Sequence, residues 1–216
     1  MLIRFLGAHN AETLSARLAG ILIDGVIALD AGSLCRSLTL EEQQRLQAVL
    51  LTHRHLDHVR DLPFLGMNNR TTGPKPVYAS ASTVHDVLTH LVNGALYPRF
   101  DQWPSPEQPA LAFFPVEPFD TLDIAGYQVK AVPVPHNAPN FGYQVTSPQR
   151  KSVFYTGDTG GDLEDVWPHI RPDLFICEVT FPNRMPIEGH LTPEGYLEEM
   201  AEARQVKRDM KASSHQ

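Results

Sequence analysis

The stretch LTHRHLDHVRDLP, residues 51–63, sets His53, His55, Asp57 and His58 within six consecutive positions, directly after the apolar run AVLL of residues 48–51. Three of the chain's ten histidines stand in this one segment. An almost wholly apolar run is what a strand buried on both faces requires, and loops at strand ends are where a rigid scaffold presents chemistry. Neutral imidazole and carboxylate are ligands for zinc and related transition metals. Alternating positions 53 and 55 can converge on one ion while 57 and 58 turn toward another. The spacing predicts a two-metal site at the end of a buried strand; solvated loop histidines, with Asp57 capping a short helix, are the simpler alternative.

Outward from that segment the apolar runs are short and punctuated by turn residues. LIRFL (2–6), ILID (21–24) and VIAL (26–29) read as strands, the last two joined by a hairpin turn at Asp24-Gly25. TLEEQQRLQ (39–47) carries Thr39 followed three residues later by Glu42, a capping-box pattern that predicts a short helix. VYAS (77–80) reads as a strand, and ASTVHDVLTHLVN (81–93) has helical apolar spacing at Val84, Val87, Leu88, Leu91 and Val92. Residues 97–118, rich in proline and aromatics, predict an irregular wall or lid; Tyr97, Arg99, Phe100 and Trp103 there could contact a substrate or simply pack. Residues 124–180 give four more strands, IAGYQVKAVPV, FGYQVT, SVFYTG and DLFICEVT. TPEGYLEEMAEARQVKR closes the chain as a helix with Thr192 as N-cap and Pro193 at the first helical position, while Gly195 leaves the capping box incomplete.

Composition sets the frame. With 216 residues and 42% apolar content the chain can bury one substantial core, which predicts a single domain over 1–216. Residues 207–216 are polar and predict a disordered tail. A formal charge of −7 argues against a general electrostatic grip on nucleic acid. Cys35 and Cys177 are far apart in sequence and suggest neither a disulfide framework nor a cysteine zinc site, which fits a reducing cytoplasm. The most apolar stretch, LAGILIDGVIALDAG (18–32), is broken by Asp24 and Asp30, so no membrane partner is expected.

THRHLDH resembles the HxHxDH signature of the metallo-β-lactamase fold. The resemblance continues through LDAG (29–32), VPVPHN (132–137), FYTGDT (154–159), CEVTFPN (177–183) and GHLTPEG (189–195). It implies an α+β chain folded as an αββα four-layer sandwich. HLVNGALYP (90–98), with EVTFPN and GHLTP, is similar to class II cyclic-nucleotide phosphodiesterases; CEVT followed by GHLT is also similar to the ribonuclease Z branch. The phosphodiesterase likeness covers more positions.

Carried over residue by residue, the resemblance implies one cation held by His53, His55 and His136, a second held by Asp57 and His58, and Asp158 bridging them. Three or more imidazoles favour zinc, with manganese or iron as alternatives. On the residues alone, His136 could be an ordinary surface histidine and Asp158 could simply cap a glycine turn. Two cations would lower the pKa of a shared water and hold a phosphodiester oxygen, with the bridging hydroxide as nucleophile. Glu178 and His190 match the proton-donating pair of the ribonuclease Z branch and are the candidate general acid, beside Asp57 as a further catalytic residue; His190 could instead be a helix-entry residue.

One part of the family pattern is missing: relatives end a final strand in a histidine that completes the second site. Here RQVKRDMKASSHQ offers no apolar strand, and His215 is the sole histidine left downstream. The expected activity is hydrolysis of cyclic nucleotides or similar small phosphodiesters. Ribonuclease Z-like RNA processing, lactone or ester hydrolysis, and metal binding without useful catalysis are the alternatives. Relatives often pair, so a homodimer is the implied assembly.

Overall fold

The computed structural model describes residues 1–213, with side-chain surroundings through residue 208. Six strands form the first sheet in sequence order: β1 (Ile3–Gly7), β2 (Gly20–Ile23), β3 (Ile27–Leu29), β4 (Ala48–Leu50), β5 (Lys75–Ser80) and β6 (Leu111–Val116). The first three pair antiparallel and the last four parallel. The β2–β3 hairpin turns at Asp24 and Gly25, both with positive φ (47° and 75°), the conformation that an Asp-Gly pair adopts at low cost. The second sheet orders β11 (Leu174–Ile176), β10 (Ser152–Tyr155), β9 (Phe141–Thr146), β8 (Tyr127–Pro133) and β7 (Thr121–Ile124).

Alternation along the strands builds three apolar layers. Ile21, Ile23, Ile27, Leu29, Ala48 and Leu50 face inward against Val129, Tyr143, Val145 and Val153 of the second sheet. Leu22, Ala28, Val49 and Val77 face outward and bury the apolar sides of α1 (Leu34–Ser37), α2 (Leu40–Arg45), α3 (Leu56–Val59), α4 (Leu62–Asn69) and α5 (Ala81–Asp86). On the far side of the second sheet, Phe154 and Val132 pack with Trp167 and Ile170, and α6 (Pro193–Ser213) adds Met200, Ala203 and Val206. Helix, sheet, sheet, helix is the four-layer sandwich that the resemblance implies.

Several local expectations change. Within the expected irregular wall, residues 111–116 pair with β5 as the strand β6; Pro115 is tolerated because β6 is an edge strand. The run IAGYQVKAVPV is two strands, split at Ala125 and Gly126, both with positive φ. The helix predicted over 81–93 is α-helical to Asp86 and π-helical from Val87 to Leu91. Residues 207–213, expected in a disordered tail, continue α6. His215 lies outside the described residues. Among them, β11 is paired on one side alone, by β10. No helix among the described residues is long and apolar enough to cross a membrane.

Candidate metal centre

The segment after β4 is held between the sheets. Leu51 donates its N–H to Tyr78 of the first sheet (2.8 Å), and the Thr52 carbonyl accepts from Phe141 of the second (3.0 Å). His53 is fully buried, and His55 opens α3, which turns Asp57 and His58 back toward the strand end. His136 follows β8 and Asp158 follows β10, so both sheets deliver groups to one place.

Three ring nitrogens meet there: His55 Nδ1 lies 3.0 Å from His53 Nε2 and 3.3 Å from His136 Nε2. With Asp158 they form a group whose ligand atoms all lie within 4.8 Å of one another. The neighbours fix which nitrogen is free. The Thr52 hydroxyl has a single proton, donated to Asp30 (3.0 Å), so it accepts from His53 Nδ1–H (3.0 Å), which leaves Nε2 as a lone pair. His136 Nδ1–H donates to the Gly189 carbonyl (2.7 Å), which again leaves Nε2 bare. Burial pushes His53, His55 and His136 toward the neutral form. Converging lone pairs repel unless a positive charge lies among them, so this donor set fits a transition-metal cation.

A second group comprises Asp57, His58 and Asp158. His58 Nε2 lies 3.6 Å from Asp57 Oδ2 and 3.3 Å from Asp158 Oδ1. The other Asp158 oxygen lies 3.8 Å from His53 Nε2, so one carboxylate faces both groups. Burial raises the Asp57 carboxyl; in Asp158 it is overcome by His58, His53 and His190, which hold the carboxyl below the usual range. Burial also disfavours charge on His58, but Asp30 and Asp158 outweigh it and raise the ring well above the ordinary imidazole range. Asn140 steadies the Asp158 turn, donating from Nδ2 to the carbonyls of Thr156 (3.0 Å) and Asp158 (2.8 Å).

Asp30 is the group that sequence reading missed. Fully buried just after β3, it accepts from His58 Nδ1–H (2.7 Å), Thr52 N–H (2.8 Å), the Thr52 hydroxyl and Tyr155 O–H (3.1 Å). The LDAG run contained it, but no spacing rule connects it to residues 52, 58 and 155.

Glu178 and His190 also come together. His190 Nδ1 donates to Glu178 Oε1 at 3.0 Å and lies 3.8 Å from Asp158 Oδ2. Glu178 Oε1 accepts further from the N–H groups of Thr159 (3.1 Å) and Leu191 (3.2 Å), and Oε2 accepts from the Thr180 hydroxyl. Burial raises the Glu178 carboxyl while these bonds oppose the rise. Its oxygens are thus occupied, which suits an orienting carboxylate better than a cation ligand. The aromatic segment does not join the site: Phe100 is buried in the helical layer with Trp103 and Tyr97 against it, and Arg99 is paired with Asp101 (2.6 Å).

Comparison with known proteins identifies the family and the fold. The family model described as a beta-lactamase superfamily domain matches residues 20–211. The chain is 23% identical over 215 residues to a 3',5'-cyclic-nucleotide phosphodiesterase of Aliivibrio fischeri, covering 85% of this chain and 64% of that one. It is 30% identical over 115 residues to a ribonuclease Z of Bradyrhizobium sp. (strain ORS 278), covering 51% and 36%. It therefore spans less than two thirds of the length of either relative. Among solved structures, unliganded yeast PDE1 superposes with a TM-score of 0.79 at 16% identity, over 94% of this chain and 82% of that one.

Proposed function

The chain belongs to the beta-lactamase superfamily, and on that premise we propose that it is a dinuclear metallohydrolase of small phosphodiesters, with 3',5'-cyclic nucleotides as the first candidates. The observation that carries this reading is Asp158, whose two oxygens face a three-histidine group on one side and the Asp57–His58 group on the other. His53, His55, His136 and Asp158 would hold one cation; Asp57, His58 and Asp158 would hold the second. Such a pair, zinc on the strength of its imidazoles, supplies Lewis acidity and a water of lowered pKa.

The chain's own residues account for the rest. Glu178 fixes His190 through Nδ1, which leaves Nε2 to hand a proton to the departing alkoxide. Replacing His190 with alanine should lower kcat by about 10²- to 10⁴-fold and leave cation content unchanged; loss of a cation would make His190 a ligand. The reading as a whole is tested on protein purified without chelator, by metal content per chain and turnover of 3',5'-cyclic AMP. Nearly two cations with turnover support it, and one or none with no turnover overturns it.

Ribonuclease Z-like RNA processing is the second reading, favoured by the Glu178–His190 pair and the Bradyrhizobium relative. Faster cleavage of a pre-tRNA than of 3',5'-cyclic AMP would establish it over the first.

A further inference from the structure

A cavity of about 340 Å³ opens beside Asp57, His58 and Asp158, at the edge where β1 of one sheet and β11 of the other come together. Its volume falls in the range of small-molecule sites, about 300–1,000 Å³. Three carboxylates line it, Asp57, Asp158 and Glu178, and no lysine or arginine does. An anionic substrate entering here meets no lysine or arginine; apart from His58, its side-chain N–H donors are His9 and Asn10.

The opposite wall carries an anomaly. Phe5 pairs with Ile21 across β1 and β2, so both side chains point to the same, inward face of the sheet. Ile21 is buried in the inter-sheet core, whereas Phe5 is 56% exposed and lines the cavity. An exposed aromatic ring on the inward face of a strand is a ready stacking surface for a flat heterocycle.

The segment that carries these groups is fastened to the metal centre. Ala8 and His9 both donate backbone N–H groups to the Arg17 carbonyl (3.1 and 3.0 Å), and a side chain on Gly7 would overlap the Leu18 carbonyl. Glu12 pairs with Arg36 (2.9 Å) and with Arg60, which follows His58 by two residues at the end of α3. The wall is therefore held in register with the loop that bears the candidate ligands.

We propose that Phe5, His9 and Asn10 form the recognition wall for the organic group of a small phosphodiester, Phe5 stacking a nucleobase-like ring and the His9–Asn10 pair donating to its polar edge. This rests on the phosphodiesterase reading for the substrate class, but the wall itself can be tested by binding. The probe is the phosphorothioate analogue of 3',5'-cyclic AMP, titrated calorimetrically into zinc-loaded protein. Phe5→Ala, and separately His9→Ala with Asn10→Ala, should each weaken binding by about tenfold or more. Zinc content and unfolding midpoint should stay at parental values, since Phe5, His9 and Asn10 are exposed.

Variants that bind like the parent overturn the wall, and so does a His9 variant that loses zinc, which would make His9 a ligand. A parent that fails to bind the analogue overturns it as well. A parent that binds the analogue but does not hydrolyse 3',5'-cyclic AMP, with the variants weakened, overturns the phosphodiesterase reading and leaves the wall standing.

Discussion

Asp30 shows how much of the site depends on a residue that is not itself a candidate ligand. Its carboxylate takes four hydrogen bonds, from the backbone and hydroxyl of Thr52, from His58 and from Tyr155. In Asp30→Asn one oxygen becomes an NH2 group that cannot accept, so either His58 or Thr52 loses its orientation. Cation affinity should fall about 10- to 100-fold, read by competition with a chromophoric chelator. His53, His55, Asp57 and His58 were legible because they are neighbours in sequence. Asp30 was not, because it lies 22 residues from Thr52 and 28 from His58 and meets them through the β3–β4 pairing. The cysteines, which gave no metal spacing in the sequence, are half-buried. Burial, aided by Glu178 and Glu199, pushes the Cys177 thiol up to about 12, and burial also raises Cys35. A raised thiol pKa means that thiolate forms in quantity only well above pH 8. Native protein at pH 8 should leave both thiols unreacted toward a disulfide-exchange reagent; urea-unfolded protein should titrate both.

At the scale of elements, local chemistry decided where the reading succeeded. In α2 the Thr39 hydroxyl accepts from Glu42 N–H (3.2 Å), and the Glu42 carboxylate accepts from Thr39 N–H (2.8 Å), the reciprocal box its sequence predicts. Thr39→Ala removes one half and should cost about 0.5–2 kcal/mol in urea denaturation with an unchanged m-value; no loss would mean that packing of Leu38 and Leu46 alone holds the turn. The β2–β3 hairpin was legible for the same kind of reason, because Asp-Gly is a turn signal in its own right. The β7–β8 hairpin turns at Ala125-Gly126, and alanine gives no such signal. The π-helical turn has a tertiary cause: Val87 and Val92 are both buried in the helical layer, and the Val92 N–H to Val87 carbonyl bond (3.0 Å) spans five residues and brings both onto one face. No window of local propensity contains that demand.

For the molecule as a whole, the site lies where the two sheets could separate. His53, His55, Asp57 and His58 come from the first sheet's side of the sandwich; His136 and Asp158 come from the second. Cations bound among them would tie the two halves through charge as well as through the inter-sheet core of Ile23, Leu29, Tyr143 and Val145. Without cations, the converging imidazoles and carboxylates of the site are held by hydrogen bonds alone, such as that from His58 Nδ1 to Asp30 (2.7 Å). A ligand that binds the folded state alone stabilises it by about 2.7 kcal/mol at a hundred times its Kd. For a chain of this length each kcal/mol moves Tm by about 2–4 °C. One cation should therefore raise Tm by about 5–10 °C, and chelator-treated protein should melt lower by at least that amount and recover when zinc is restored. Equal melting temperatures with and without chelator would mean that the groups converge without being bridged, and the sandwich would then owe its closure to the apolar core alone.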